Sequence, residues 1–369
     1  MHPQSARRVS ASQYGVIATY ADVDDAPAAV CGTAADATSA LAAIASKADT
    51  RRTPTPGLPR TCCPTLPLMS ASSSPDGSPE PQVCVVTGAN SGIGRATAVH
   101  LAESGYTVWG TVRSRSKADK LNTAASAAGV MVELVELDIA DDESVRAGFA
   151  EILDRTGRVD HLVNNAGVGG NGVVEETTPA RMLEVFNIDV CGGLRCLREV
   201  LPGMRDRGAG TIVNITSVAG RVAALAQAPY VASKWAFEGL SEQLAQELAA
   251  FGVRVAIIEP GVTKSSIFAK NADIPNATGA YSAQYERMFQ MYAAGHVHAT
   301  DATEVAHVVR QAIETDAPRL RYQVCWGGCE MVEGRARMTD EEWVALGRAA
   351  PLAEYIEAFA DAFGLDLRT

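Results

Sequence analysis

The sequence lacks any long hydrophobic run. No stretch approaches the roughly 18–20 apolar residues that a membrane-spanning helix requires, although 47% of the 369 residues are hydrophobic. It also lacks an excess of positive charge: 32 Lys and Arg against 43 Asp and Glu give a formal net charge of −11. This balance argues against a surface built for nucleic acid or anionic membrane. We therefore expect a cytoplasmic protein with no membrane span and no nucleic-acid partner.

Metal-binding cysteine motifs are also missing. The eight cysteines form no CxxC pair and lie near no histidine cluster, so no metal site is predicted. The cysteines are Cys31, Cys62, Cys63, Cys84, Cys191, Cys196, Cys325 and Cys329. Cys84 lies in an apolar strand-like run, and Cys191 and Cys196 lie near helical spacing, so these three are predicted to be small buried hydrophobic residues. We expect reduced thiols in a cytosolic protein.

A compositional boundary divides the chain near residue 80. Residues 1–80 are rich in Ala, Ser, Thr and Pro and show no sustained period of 3.6 or 2. Such a segment buries too little apolar surface to offset its ordering entropy. We expect a disordered extension over 1–80, with packing of this segment onto the folded domain as the alternative. The acidic amphipathic pattern of 331–369 predicts a C-terminal extension of one or two helices, packed on the domain or on a neighbouring subunit.

Between these ends, apolar strand-like runs alternate with amphipathic helical runs. This order predicts right-handed crossovers and a doubly wound α/β fold, with about seven parallel strands and helices on both faces. The strands are predicted at 83–87, 107–112, 130–137, 161–164, 211–216, 253–258 and 321–325. Three of the helices are predicted at 94–103, 179–204 and 233–251. In such a sheet a ligand binds beyond the carboxyl ends of the strands.

The first strand leads through a glycine-rich turn directly into a helix. Glycines at this point let a diphosphate approach the backbone amides at the helix start, where the helix dipole favours negative charge. The spacing is GxxxGxG, whereas the commoner dinucleotide fingerprint is GxGxxG; an ordinary turn is the alternative. The residues predicted to hold a cofactor here are Gly88, Asn90, Ser91, Gly92, Ile93 and Gly94.

The second strand ends without a carboxylate, and Arg113 and Arg115 follow it. NAD enzymes usually place an acidic residue there, whereas an arginine pairs with the 2′-phosphate of NADP. This pattern favours NADP(H) over NAD(H) and assigns Arg113 to the phosphate, unless both arginines are simply solvated loop charges. Asp138 and Ile139, at the end of the third strand, are placed to contact the adenine, and Asp138 is equally able to cap the next turn.

Five motifs together resemble the short-chain dehydrogenase/reductase family. They are TGANSGIG (87–94), NNAG (164–167), the serine of NITS (214–217), YVASK (230–234) and PGVT (260–263), in the family's order and spacing. The resemblance implies a Rossmann-type NAD(P)-binding catalytic domain over 81–330. It implies hydride transfer between NAD(P) and a carbonyl or alcohol, in a homodimer or homotetramer. The GTVRS and APRLRYQV segments are similar to the hydroxysteroid and retinol dehydrogenase branch.

The resemblance also implies a catalytic set. Tyr230 and Lys234 lie one helical turn apart on the same face, an arrangement that also fits an ordinary surface pair. A phenol has an unperturbed pKa of about 10, so it needs a nearby ammonium to act as an acid and base near neutrality. Tyr230 would be the general acid or base, Lys234 its partner, and Ser217 the group that holds the substrate oxygen. The resemblance places around the cofactor Asn165, Ala166, Gly167, Pro260, Gly261, Val262 and Thr263, with Thr263 on the carboxamide.

One catalytic position departs from the family pattern. Counting back from LPGM reaches Asp189, where the family usually has an asparagine whose main-chain carbonyl holds a water for the lysine. Asn187 lies roughly 200° away around the helix, so it cannot replace that residue. Asp189 either points elsewhere or brings an extra charge to Lys234.

The segment after the sixth strand, 262–300, predicts a lid over the substrate. Its larger apolar residues suggest a hydrophobic pocket, although some must pack the lid itself: Phe268, Tyr281, Tyr285, Phe289, Met291 and Tyr292. The resulting hypothesis is an NADP(H)-dependent oxidoreductase acting on a hydrophobic ketone or aldehyde and its alcohol. A cofactor-binding regulatory or scaffold protein is the alternative. Dehydratase or epimerase chemistry is a third hypothesis, which the glycine spacing opposes.

Overall fold

The computed structural model describes residues 81–223, 226–264, 277–348 and 351–369. It also describes a short antiparallel pairing of Val9–Ser10 with Asp273–Ile274. The rest of the predicted extension over 1–80, and Phe268 of the predicted lid, lie outside the described residues. In the part of the chain that is described, no helix is both long and apolar enough to cross a bilayer.

A seven-stranded, entirely parallel sheet forms the centre of the domain, as predicted. Its strands are β1 (Val83–Val86), β2 (Thr107–Val112), β3 (Glu133–Glu136), β4 (His161–Asn164), β5 (Gly210–Ile215), β6 (Val253–Pro260) and β7 (Arg321–Val324). Their spatial order is β3-β2-β1-β4-β5-β6-β7. The order reverses between β1 and β4, and this reversal creates the switch point at which a doubly wound sheet binds its ligand.

Helices cover both faces of the sheet. They are α1 (Gly92–Glu103), α2 (Asp119–Ala127), α3 (Asp142–Thr156), α4 (Pro179–Phe186), α5 (Gly192–Arg207), α6 (Ala228–Leu248), α7 (Ser282–His298), α8 (Ala302–Glu314), α9 (Gly328–Arg337), α10 (Asp340–Leu346) and α11 (Leu352–Phe363). Helices α1, α2 and α8 enclose one core with the sheet, and α3, α5 and α6 enclose the other. Because side chains on both faces of the sheet are buried, the strands appear in the sequence as continuous apolar runs.

Several predicted element boundaries were wrong. The helix predicted at 233–251 spans Ala228–Leu248, and two other differences have identifiable reasons. The third strand begins at Glu133 and not at residue 130, because Gly129 adopts φ +70° and Val130 N donates to the Ala125 carbonyl to close α2. The predicted helix over 179–204 is interrupted by a π-helical turn, Asn187–Cys191, and continues to Arg207. Its predicted start is confirmed, since the Thr178 side chain accepts a hydrogen bond from Arg181 N and proline follows it.

The C-terminal helices pack against the loop that follows β5. Tyr355, Phe359 and Phe363 of α11 form a buried cluster with Val218 and Val222, which lie just beyond the end of β5. The predicted tail therefore folds onto the domain. Its start lies slightly earlier than predicted, because α9 begins at Gly328.

The expectation of reduced thiols holds for only part of the chain. Cys84, Cys191, Cys196 and Cys325 are free. Cys84 and Cys196 are buried as predicted, whereas Cys191 is exposed, so its predicted burial was wrong. Burial raises the pKa of Cys196 to about 12. Cys329, in contrast, is disulfide-bonded.

Candidate active site

The motifs singled out in the sequence converge on one edge of the sheet. The glycine turn follows β1, residues 165–167 follow β4, Ser217 follows β5 and residues 261–263 follow β6. Because these four strands are adjacent and parallel, their carboxyl ends share one edge. Tyr230 and Lys234 reach the same region from the first turns of α6.

The glycine turn has the conformation that its glycines predict. Gly88 and Gly92 adopt φ +68° and +52°, in the left-handed region that glycine tolerates. A Cβ at Gly94 would lie less than 3.0 Å from both the Gly88 carbonyl oxygen and Asn165 Nδ2. The backbone therefore turns tightly against residue 165 and leaves the start of α1 open.

Thr87 ties the glycine turn to the strand beside it. Its Oγ1 accepts hydrogen bonds from Asn165 N (2.9 Å) and Ala166 N (3.0 Å), and its carbonyl accepts one from Asn165 Nδ2 (2.8 Å). These bonds hold the NNAG segment at the switch point.

The residues present fit a dinucleotide diphosphate. Asn90 Nδ2 donates to the Lys117 carbonyl (2.6 Å), while the buried Asn90 Oδ1 has no hydrogen-bond partner among the described residues. Ser91, the N-cap of α1, makes no side-chain capping bond. The start of α1 therefore has backbone amides and the Ser91 hydroxyl available to donate to an anion.

The two arginines after β2 differ in their environment. The Arg115 guanidinium donates to both carboxylate oxygens of Glu151 (2.6 and 2.8 Å), and its backbone N donates to Glu136. Arg113 is exposed and forms no ion pair within the described ranges. Of these two arginines, Arg113 is therefore the one whose guanidinium is available to bind an anion.

Asp138 serves the turn after β3. Its Oδ1 accepts from Ala140 N (3.0 Å), and its backbone N donates to Ser144 Oγ (2.9 Å). Asp138 therefore caps the turn, which was the alternative prediction. Its second carboxylate oxygen remains available to a ligand. Ile139 is buried against Gly192 of α5 and helps to position the floor of the cleft.

Tyr230 and Lys234 form a close pair. Lys234 is 5% exposed, and its Nζ lies 5.5 Å from the centre of the Tyr230 ring. A buried ammonium needs a partner to offset the loss of its hydration, so an ordinary surface pair is excluded. Ser217 is also buried; its Oγ accepts from Ala219 N (3.1 Å) and makes a long hydrogen bond to the Pro260 carbonyl (3.4 Å).

Asp189 points toward Lys234. Its Oδ2 lies 3.7 Å from Lys234 Nζ and accepts from Ser233 Oγ (3.2 Å), while its Oδ1 accepts from Val168 N (2.7 Å). Burial raises the pKa of the Asp189 carboxyl, and Lys234, Val168 N and Ser233 oppose that rise. Asn187 faces away, toward the Ala140 carbonyl and Arg195, as the helix geometry predicts.

The remaining predicted residues fall on the β6 side of the cleft and on the lid. Thr263 is buried, and its Oγ1 donates to Cys325 Sγ (3.3 Å). Of the predicted lid residues, Tyr285, Phe289 and Tyr292 are buried against Val173 and Ala226. Tyr281 is partly buried against the same cluster, and its hydroxyl donates to the Glu175 carboxylate at the surface.

Sequence reasoning missed two features of the site. Ser233 is fully buried between Tyr230 and Lys234 and joins the Tyr230 carbonyl to Asp189. An ionic network behind Ser217 includes the fully buried Glu259, which pairs with Arg221 (3.0 Å) and Arg321 (3.3 Å). The sequence did offer a signal for this network, because the charged residues Glu259, Arg221 and Arg321 lie in or beside apolar strands.

Comparisons with known proteins agree with this geometry. The family model described as short chain dehydrogenase matches residues 82–275. The chain belongs to the short-chain dehydrogenase/reductase family. Its members are oxidoreductases acting on CH–OH groups, so the family predicted from the motifs is confirmed. The chain is 35% identical over 254 residues to 17-beta-hydroxysteroid dehydrogenase type 1 of Mus musculus, covering 66% of this chain and 73% of that one.

Solved structures of the family share the fold. A short-chain dehydrogenase from Streptomyces avermitilis matches with a TM-score of 0.63 and 35% identity, covering 74% of this chain and 100% of that chain. A variant of actinorhodin polyketide ketoreductase with NADPH matches with a TM-score of 0.59 and 30% identity, covering 67% and 97%.

Proposed function

We propose that this short-chain dehydrogenase/reductase is an NADP(H)-dependent enzyme that interconverts a hydrophobic ketone or aldehyde and its alcohol. One observation carries the proposal. The buried Lys234 ammonium lies against the Tyr230 ring, at the sheet edge that also holds Ser217 and the glycine turn. A scaffold or regulatory protein has no need of a buried lysine beside a tyrosine and a serine.

The cofactor would be held by the glycine turn and the NNAG segment, with residues 260–263 on the far side of the cleft. When bound, a nicotinamide dinucleotide supplies or accepts the hydride. Arg113 supports NADP(H) over NAD(H), because its guanidinium is unpaired within the described residues and no carboxylate ends β2. The matched ketoreductase structure contains NADPH, which agrees with this preference.

Three side chains perform the proton chemistry. Tyr230 gives its phenolic proton to the carbonyl oxygen during reduction and takes a proton from the alcohol during oxidation. The Lys234 ammonium stabilises the phenolate that results. The Ser217 hydroxyl, held by Ala219 N and facing the Pro260 carbonyl, exchanges that long bond for one to the substrate oxygen.

An apolar substrate is supported by the residues around the site. A small cavity between α7, the loop after β5 and the C-terminal helices is lined mainly by aromatic and Met side chains, among them Met288, Met291, Tyr292, Met331 and Phe359. Gln227, which precedes Tyr230 by three residues, also lines this cavity. The similarity to a hydroxysteroid dehydrogenase points to the same substrate class.

A homodimer or homotetramer is part of the proposal. Leu183 of α4, Leu194 of α5 and Trp235 of α6 are 69%, 42% and 51% exposed, which is unusual for large apolar side chains on neighbouring helices. Light scattering of the purified protein tests this point, with a monomer as the contrary result. A cytoplasmic location is supported by the four thiols that are free among the described residues and opposed by the disulfide at Cys329.

The function is tested by incubating the purified chain with NADPH or NADH and a panel of carbonyl compounds. The panel contains bulky apolar ketones, long-chain aldehydes and small polar ketones. We expect NADPH oxidation with the apolar members, and slower turnover with NADH. Tight NADPH binding without turnover of any member would favour the scaffold alternative, and absence of NADPH binding would contradict the proposal.

A further inference from the structure

The buried carboxylate of Asp189 has a more specific role than its position alone implies. Its two oxygens have separate partners: Oδ1 accepts from Val168 N, and Oδ2 faces both Ser233 Oγ and Lys234 Nζ. The side chain is fully buried. It is therefore held in one orientation, with one oxygen directed at the ammonium.

The π-helical turn produces this orientation. Asn187–Cys191 widens the helix at the position where α4 continues into α5. Gly167 leaves room beside it: a Cβ on Gly167 would lie 3.2 Å from Asp189 Oδ1 and 3.6 Å from Lys234 Nζ. π-helical turns occur frequently at functional sites.

Other charged groups near the pair are already occupied. Glu238, one turn beyond Lys234 on α6, is bound by Thr216 and Arg321. Arg221, from the loop after β5, pairs with Glu259. From α4, Arg181 bonds to the Gly169 carbonyl and Glu184. Within the described ranges, Asp189 is the carboxylate at ion-pairing distance from Lys234.

We propose that Asp189 is a positioning residue that anchors Lys234 and partly neutralises its charge, so that Tyr230 works at a higher pH than it would with a neutral residue at 189. The inference rests on the proposed function. A single positive charge beside a phenol favours the phenolate, and a carboxylate on the far side of that charge weakens the effect. The enzyme is thereby adjusted toward carbonyl reduction, which requires a protonated Tyr230.

Asp189→Asn tests this role, because it keeps the shape of the side chain and removes its charge. The pH dependence of kcat/KM for alcohol oxidation should move to lower pH by about one unit or more. KM for the alcohol should change less than the pH midpoint. Asp206→Asn, the same change at an exposed position on α5, should leave the profile unchanged.

A second measurement does not depend on turnover. The ultraviolet difference spectrum between the wild-type chain and Tyr230→Phe reports the ionisation of Tyr230. The same difference spectrum is recorded between Asp189→Asn and the double variant that carries both Asp189→Asn and Tyr230→Phe. A lower ionisation midpoint of Tyr230 in the Asp189→Asn background supports the inference. If no substrate is turned over, the proposed function is contradicted, and a lower midpoint still supports the inference. Equal midpoints in the two backgrounds overturn the inference, whatever the activity.

Discussion

Gly94 lies so close to Asn165 that a methyl group at position 94 would come within 3.0 Å of Asn165 Nδ2. That amide nitrogen already donates to the Thr87 carbonyl, so it cannot withdraw without losing a hydrogen bond. The glycine therefore serves two purposes. It permits the tight turn before α1, and it lets the NNAG segment approach that turn.

Gly94→Ala should weaken NADPH binding and lower the free energy of unfolding by about 1–3 kcal/mol, because the added methyl group overpacks the turn. NADPH titration and urea unfolding measure the two effects. Gly239→Ala is the matched control: position 239 is exposed in the interior of α6, and a Cβ there meets nothing within 4 Å. It should raise stability by about 0.5–1 kcal/mol. A Gly94→Ala variant that binds and unfolds like the wild type would contradict the assignment of the turn.

Arg113→Ala should weaken NADPH binding at least about tenfold and leave NADH binding nearly unchanged, since a charge-assisted hydrogen bond contributes about 1.5–3 kcal/mol. Calorimetric titration with each cofactor measures the effect. Arg115→Ala is the control, because its guanidinium is bonded to Glu151. Equal losses of affinity for the two cofactors would refute the 2′-phosphate contact.

The ionic network behind Ser217 should be important for stability. Arg321 contacts Glu238 (3.0 Å), Glu242 and the fully buried Glu259 (3.3 Å). Arg321→Met leaves the buried Glu238 without its arginine and Glu259 with Arg221 alone; removing one partner of a buried ion pair typically costs about 3–5 kcal/mol. Urea unfolding tests this, with Arg146→Met as the control, since its pair with Glu143 is exposed and should contribute less than about 1 kcal/mol. Similar small losses in both variants would show that the network is not structural.

His161 should make the fold sensitive to acid. Burial lowers the pKa of its imidazole to about 4, from an ordinary value of 6.5. Between those values the unfolded chain binds a proton at this position and the folded chain does not, so stability falls as the pH falls across that window. The shift corresponds to roughly 3 kcal/mol.

The pH dependence of unfolding by urea, measured from pH 7 to pH 4, tests this effect. His161→Gln should flatten the curve, because it removes the imidazole whose proton binding differs between the folded and the unfolded chain. An unchanged slope in His161→Gln would assign the acid sensitivity to other groups.

Local patterns predicted much of this molecule. The apolar strands, the turn before α1 and the start of the long helix at Thr178 depend on neighbouring residues. Apart from the early start predicted for β3, these features were found where they were expected. The orientation of Asp189 was not predictable, because it depends on a π-helical turn whose sequence, NIDVC, carries no helix breaker. Arg321 was not recognised either, since its partners lie about 60 to 80 residues away along the chain.

The central claim is that Tyr230 moves the proton in the reaction. Tyr230→Phe keeps the ring beside Lys234 and removes only the hydroxyl, so NADPH affinity should stay close to that of the wild type. Turnover of the best carbonyl substrate should fall by about 10²–10⁴-fold. Tyr106→Phe, which loses a hydroxyl bonded to Glu314 far along the chain, should retain its activity. The decisive measurement is the rate of NADPH oxidation by Tyr230→Phe at saturating substrate: a fall of that size is the predicted result, and a wild-type rate would contradict the account.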